Sequence, residues 1–168
     1  MSIATTKLWD CWQTEYLDRT SWLAARKSGI GASESASIFG VGYKGSSPVT
    51  VWYDKTTNEL DQSEPTALMR RGSRMEPVIA AEFADESGLE IIDPGDFTIF
   101  QSADHLHIFA TIDRIAIHPE FGPIPVEMKN VSGRFWKDWE DDSELPLKHV
   151  IQCQHQMAVQ KMGVHPEQ

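Results

Sequence analysis

Asp113, Glu127 and Lys129 are the side chains whose types and spacing could most directly do chemistry. In Pro125-Val126-Glu127-Met128-Lys129, residues alternate along an extended strand, so Glu127 and Lys129 share one face while Val126 and Met128 point into a core. Asp113 lies in Ala110-Thr111-Ile112-Asp113-Arg114, one turn earlier, and reaches the same face if that segment is the neighbouring strand. Two carboxylates and an ammonium on one sheet face suit phosphodiester hydrolysis. Hard oxygens hold Mg2+ or Mn2+, and the lysine orients or helps deprotonate the attacking water. Most lone Glu-x-Lys pairs are only a solvated strand face; the apolar alternation around this one and the Asp ahead of it across a turn strengthen the metal reading without deciding it.

The elements that must position these groups follow from period and punctuation. Apolar residues at helical spacing predict a helix from Trp9 to Ala25, broken by Gly29-Ile30-Gly31. A short helix is expected from Ser33 to Phe39, and another begins at Pro48 and carries Val49, Val51, Trp52 and Tyr53. Thr56 to Thr66 reads as a polar loop. A longer helix runs from Ala67 to Glu86 and ends at Gly88, with Pro77 kinking it or starting its second part. The period then changes. Leu89 to Ile92, Thr98 to Gln101, His107 to Ala110, Ile112 to Ile117 and Ile124 to Met128 read as strands of one antiparallel-rich sheet. Helical spacing returns over Phe135 to Glu140 and Pro146 to Met162, with Gly163 as a C-terminal cap. Helices, then sheet, then helices make the class α+β, or mixed α/β.

Composition bounds the rest. A chain of 168 residues with 40% hydrophobic content can build one core, so a single domain over 1–168 is expected. No apolar run approaches the ~18 residues of a membrane span, and no secretion signal is visible, which predicts a soluble intracellular protein. Cys11 and Cys153 form no CxxC pair and read as two buried thiols. The six histidines make no zinc pattern. A net charge of −10, from 25 acidic and 15 basic residues, argues against a protein that coats nucleic acid through a basic surface. A carboxylate-built metal site beside a locally positive groove remains compatible with it. Arg26-Lys27 before the glycine break, and Arg70, Arg71 and Arg74 around Gly72, are the basic clusters; each reads as a DNA contact or as a solvated helix face.

Five motifs occur in order: Arg26-Lys27-Ser28-Gly29-Ile30-Gly31-Ala32-Ser33-Glu34; Arg71-Gly72-Ser73-Arg74-Met75-Glu76-Pro77; Asp113; Glu127-Met128-Lys129; and Gln152-Cys153-Gln154-His155-Gln156-Met157. Their order and spacing, over Trp22 to Met162, resemble the lambda-exonuclease and YqaJ-like viral recombinase family of PD-(D/E)xK nucleases. The resemblance implies a restriction-endonuclease-like core, a central mixed sheet flanked by helices. It implies Asp113, Glu127 and the Met128 carbonyl as ligands of Mg2+ or Mn2+, with Lys129 positioning the nucleophilic water. Glu76 would complete the metal site through water, and Gln152 would orient the site from the last helix. Arg26 and Ser33 would contact the terminal phosphate of the DNA. Ser33 also reads simply as a helix cap, Glu76 as a solvated helix residue, and Trp136 and Trp139 as core or as base-stacking groups. Gln152 and Gln156 share a helix face that Gln154 does not.

The activity so implied is 5′→3′ digestion of double-stranded DNA ends, without a covalent enzyme intermediate. It leaves a 3′ strand for a single-strand annealing protein in phage recombination, inside a bacterial host cytoplasm. Relatives form a ring-shaped homotrimer around DNA. The chain ends at Gln168, soon after the glutamine helix, where relatives continue with further strands and a helix, so a truncated or minimal member is expected. An inactive DNA-end or partner-binding module and a structure-specific endonuclease are the alternatives. The intact Asp113, Glu127 and Lys129 disfavour the first, and the terminal-phosphate residues disfavour the second.

Overall fold

A computed structural model describes residues 9–61, 63–131 and 145–161. Seven strands and five helices follow one another in those segments: β1 (Cys11–Glu15), α1 (Arg19–Arg26), β2 (Ile30–Gly31), α2 (Ala32–Ile38), α3 (Pro48–Thr56), α4 (Ala67–Ser87), β3 (Glu90–Ile92), β4 (Thr98–Ser102), β5 (Ile108–Ala110), β6 (Arg114–His118), β7 (Gly122–Val126) and α5 (Leu147–Gln160). The class is mixed α+β. Hydrogen bonding divides the strands into two sheets rather than one, in the orders β1-β4-β5-β2 and β3-β6-β7. The pairing is antiparallel except for β2 with β5, which makes the first sheet mixed.

The largest departure from the sequence reading is at the N-terminal end. Residues 11–15 form an edge strand instead of the first turns of a helix, with Cys11 opposite Ser102 and Glu15 opposite Thr98. Trp9 and Cys11 are buried while Trp12 is 60% exposed, so the side chains alternate. Pairing with β4 outweighed a spacing that also fits a helix. The helix begins only after Asp18, whose carboxylate accepts from the Ser21 N–H at 2.8 Å. The Gly29-Ile30-Gly31 break is itself structural. The Ile30 N–H bonds the His107 carbonyl at 2.8 Å, and a Cβ on Gly29 would sit 2.4 Å from that same oxygen. Only a glycine lets β2 approach β5 this closely.

α2 is capped by Gly31, not Ser33: the Glu34 carboxylate accepts from the Gly31 N–H at 2.8 Å. α4 is one helix through Pro77, ending at Gly88 in the left-handed conformation (φ 68°). α5 ends at Lys161, with φ 56°; the predicted cap Gly163 and the helix over Phe135 to Glu140, with Trp136 and Trp139, lie outside the described residues. β7 carries Pro123 and Pro125 opposite Ile117 and Ile115. Proline at alternate positions suits an edge strand, since its missing N–H groups face away from the ladder.

Between the sheets and α5 lies the core of Trp9, Cys11, Ala32, Phe100, Ala110, Ile112, Ile115 and Val159. Trp9 meets Phe100 edge-on at 5.3 Å and donates its indole N–H to the Pro123 carbonyl at 2.8 Å, tying the N-terminal segment to β7. α5 packs on α2, β4 and β5, and from there Gln152 and Gln156 reach Glu127 just beyond the end of β7.

Candidate active site

β7 stops at Val126, opposite Arg114, so Glu127, Met128 and Lys129 extend beyond the ladder rather than sitting within it as the strand reading had them. Continuing that register by one step places Asp113 opposite Glu127, which is how the turn between β6 and β7 brings the two carboxylates together. The Met128 N–H donates to Asp113 Oδ2 at 2.8 Å and fixes the crossing. Lys129 Nζ bonds Glu127 Oε1, so the two side chains do share a face.

Glu127 is the best-supported group. Its side chain is 7% exposed, and besides Lys129 it accepts from Gln152 Nε2 at 2.7 Å and from Gln156 Nε2 at 2.6 Å. Residues four apart on α5 stand on one face, one turn above the other, and each supplies an amide to one carboxylate oxygen. Gln154 is exposed. Gln156 was recognised in the sequence as sharing Gln152's face but was given no role; its spacing was the signal.

The charges are unbalanced. Burial pushes the Asp113 carboxyl up to about 6, the nearby Glu127 charge adds to that, and the Met128 N–H works against it. Burial draws the Lys129 ammonium down, but the Glu127 charge and hydrogen bond outweigh it and leave Lys129 above the ordinary lysine value. Burial and the Glu127 charge push the Cys153 thiol up, so it stays protonated.

Glu76, on α4, points to Arg114 rather than joining the other two carboxylates: Arg114 Nη1 lies 2.6 Å from Glu76 Oε1. The same nitrogen bonds the Asp113 carbonyl, and Arg114 Nη2 stands 3.4 Å from Asp93 Oδ2. Arg114 was passed over in the sequence, although it directly follows Asp113. Among the described residues no three His, Cys, Asp or Glu side chains form a metal-holding group on their own. Asp113, Glu127 and the Met128 carbonyl nevertheless fit Mg2+, which keeps several waters and takes one or two carboxylates. Among the described residues Glu76, Asp93, Asp113 and Glu127 face Arg114 and Lys129, so a dication would offset the local deficit.

The Arg26 guanidinium is 15% exposed, stacks 4.7 Å over the Trp22 ring, and lies 3.6 Å from Glu34 Oε1. Lys55 Nζ bonds the same Glu34 oxygen at 2.8 Å and the Arg26 carbonyl at 2.8 Å. A Cβ on Gly31 would come 3.3 Å from Arg26 Nη2, so the guanidinium sits beside the start of α2. Ser33 is exposed in the first turn, and among the described residues no hydrogen bond joins it to Arg26. Arg70, Arg71 and Arg74 are exposed on α4.

The fold is that of an alkaline exonuclease. LHK-Exo from Laribacter hongkongensis superposes with a TM-score of 0.61 at 22% identity, over 84% of this chain and 69% of that one. The crystal structure of LHK-Exo in complex with dAMP gives 0.61 at 23%, over 85% and 69%. Residues 21–163 match the YqaJ-like viral recombinase domain, and the chain belongs to that family. The uncharacterized protein YqaJ of Bacillus subtilis (strain 168) is 29% identical over 143 residues. That match covers 85% of this chain and 43% of the relative, so the chain spans less than half of that protein's length. Among the described residues no helix is long and apolar enough to cross a membrane.

Proposed function

We propose that the chain is a divalent-metal-dependent deoxyribonuclease that digests double-stranded DNA from its ends, 5′→3′, in phage-type recombination. The observation that carries this reading is the buried pair of carboxylates, Asp113 and Glu127, with Lys129 bonded to one of them and two glutamines of α5 bonded to the same one.

Asp113, Glu127 and the Met128 carbonyl would hold Mg2+ or Mn2+. When bound, the metal supplies an acidified water and charge stabilisation for the departing 3′ oxygen. Gln152 and Gln156 fix both oxygens of Glu127, so the carboxylate is aimed before substrate arrives. Lys129 is protonated in this arrangement, and its ammonium orients the attacking water and offsets charge that gathers on the phosphoryl oxygens. Arg114 bonds both Glu76 and the Asp113 carbonyl, and Glu76 would serve the metal through water rather than as a direct ligand. Arg26, freed from part of its contact with Glu34, and Ser33 would receive the terminal phosphate.

The 3′ strand left behind would pass to a single-strand annealing protein. Exposed Trp52 and Tyr53 on α3, and Leu68, Met69 and Val78 on α4, offer apolar surface for assembly of a homotrimer around DNA.

The test is time-resolved digestion of a linear duplex with 5′ phosphates and a label at each terminus, in Mg2+ or EDTA, beside Lys129→Ala. Metal-dependent loss from the 5′ ends, absent in the variant, is the expected result. Cleavage of closed circular plasmid would instead make the chain an endonuclease, and binding of ends without cleavage under any metal would make it a binding module.

A further inference from the structure

Lys148, Gln152 and Gln156 are spaced four apart on α5 and lie along one stripe of the helix. The two glutamines bond Glu127; Lys148 is one turn, about 5.4 Å, nearer the N-terminal end of the helix. Its ammonium is not held as the other ammoniums of the site are. Lys129 bonds a carboxylate, whereas Lys148 Nζ rests 4.7 Å above the ring of Tyr43, and among the described residues no carboxylate faces it. Tyr43 belongs to the segment between α2 and α3, is 54% exposed, and stands edge-on to the buried His149 ring at 6.2 Å and 67°. Lys129 and Lys148 both bear electrostatically on His149, and Tyr43 on Lys129, so Tyr43, Lys148 and His149 are neighbours of the lysine that bonds Glu127.

We infer that Tyr43 and Lys148 form a subsite for the nucleotide adjoining the scissile phosphate, the ring stacking on its base and the ammonium pairing with its phosphate. An exposed aromatic face braced from behind is a platform for a base, since every base has a π face. An ammonium parked on that face has given up only a weak contact when a phosphate arrives. Occupancy therefore swings Lys148 from the ring to the phosphate and uncovers the face that the base takes. Stacking requires the nucleotide to leave the duplex stack, so the subsite selects a frayed or unpaired end nucleotide. The assignment rests on the nuclease reading above.

Affinity for a 5′-phosphorylated duplex, measured by fluorescence anisotropy in EDTA over a salt series, tests it with wild type, Tyr43→Ala, Tyr43→Phe and Lys148→Ala. Tyr43→Ala should weaken binding about tenfold, the loss of one base stack, while Tyr43→Phe matches wild type. Lys148→Ala should lower the slope of log affinity against log salt by about one. Duplexes with a single abasic nucleotide at successive positions from the 5′ end locate the stack: at one position wild type should bind as weakly as Tyr43→Ala, which loses nothing more. Both side chains are at the surface, so thermal melting should not change. Variants that bind as wild type does, or a Tyr43→Ala loss indifferent to every abasic position, overturn the subsite while the nuclease reading stands. A wild-type protein that neither binds nor digests duplex ends overturns both.

Discussion

Two charged clusters flank α2 and α5, and they are built to opposite ends. Around Arg26 the cations Arg26, Lys27 and Lys55 face Glu34 and Asp54, each within 3.6 Å of a partner, so among the described residues one positive charge is left over. Around Glu127 and Arg114, among the described residues, four carboxylates face two cations, and the Asp113 carboxyl is pushed up to about 6, by burial first and by the Glu127 charge second. The excess is positive in one cluster and negative in the other, so the first suits an anion from outside and the second a cation, since burial penalises a charge left without a partner.

The largest expected effect separates the clusters by rate. Glu127→Gln should lower digestion by about a thousandfold or more at saturating DNA, in the upper range for a lost acid-base or metal-aligning group. Arg26→Ala should leave that rate unchanged and raise KM about tenfold for 5′-phosphorylated ends only, as expected for one lost charge-assisted contact. Equal losses in kcat for the two variants would erase the contrast.

Metal comes next. Mg2+ at about a hundred times its Kd should stabilise the protein by about 2.7 kcal/mol, read as a rise in Tm by calorimetry. Asp113→Asn should abolish the rise and Arg26→Ala should keep it; a rise that survives Asp113→Asn places the ion elsewhere.

Stability sharpens the comparison further. Gln156→Leu strips a donor from a carboxylate 7% exposed, and Lys55→Met strips one from Glu34, 21% exposed. Each should cost about 1–3 kcal/mol in urea unfolding without metal, the former more, because the unsatisfied charge is deeper. Lys55→Met proving costlier would mean that the cluster around Arg26 is the more tightly coupled.

The smallest effect is in pH. Burial, with Lys129 and Lys148 nearby, lowers His149 to about 4, below the ordinary 6.5. The unfolded chain then takes up a proton first as pH falls, so stability present above about 6.5 declines between about 6.5 and 4. His149→Phe should flatten that stretch of a Tm-against-pH curve; an unchanged slope would assign the decline to other groups.

Much of the site was legible because it rests on short-range rules. Period two put Glu127 and Lys129 on one side, and they bond, although the ladder ends one residue before them. Period 3.6 put Gln152 and Gln156 on one face, and both reach Glu127. The misreadings are where two periods fit the same residues or where a partner is distant. Cys11–Glu15 carries spacing that suits a helix until β4 supplies a ladder. Ser33 looks like a cap, but Glu34 closes the first turn of α2 from within it. Nothing in the sequence signalled that Arg114, 38 residues away, bonds the Glu76 carboxylate.

The sequence by itself determined the class of the fold, the start of α3, the bounds of α4 to within a residue, and the common face of Glu127 and Lys129, because local period, caps and residue chemistry are properties of neighbours in the chain. Only the tertiary structure decided which charges are paired. It joined Lys55 to Glu34, Arg114 to Glu76 and two amides of α5 to Glu127, pairings between residues 21 to 38 positions apart. Burial sets the cost of an unpaired charge, and burial is created when distant segments close over one another.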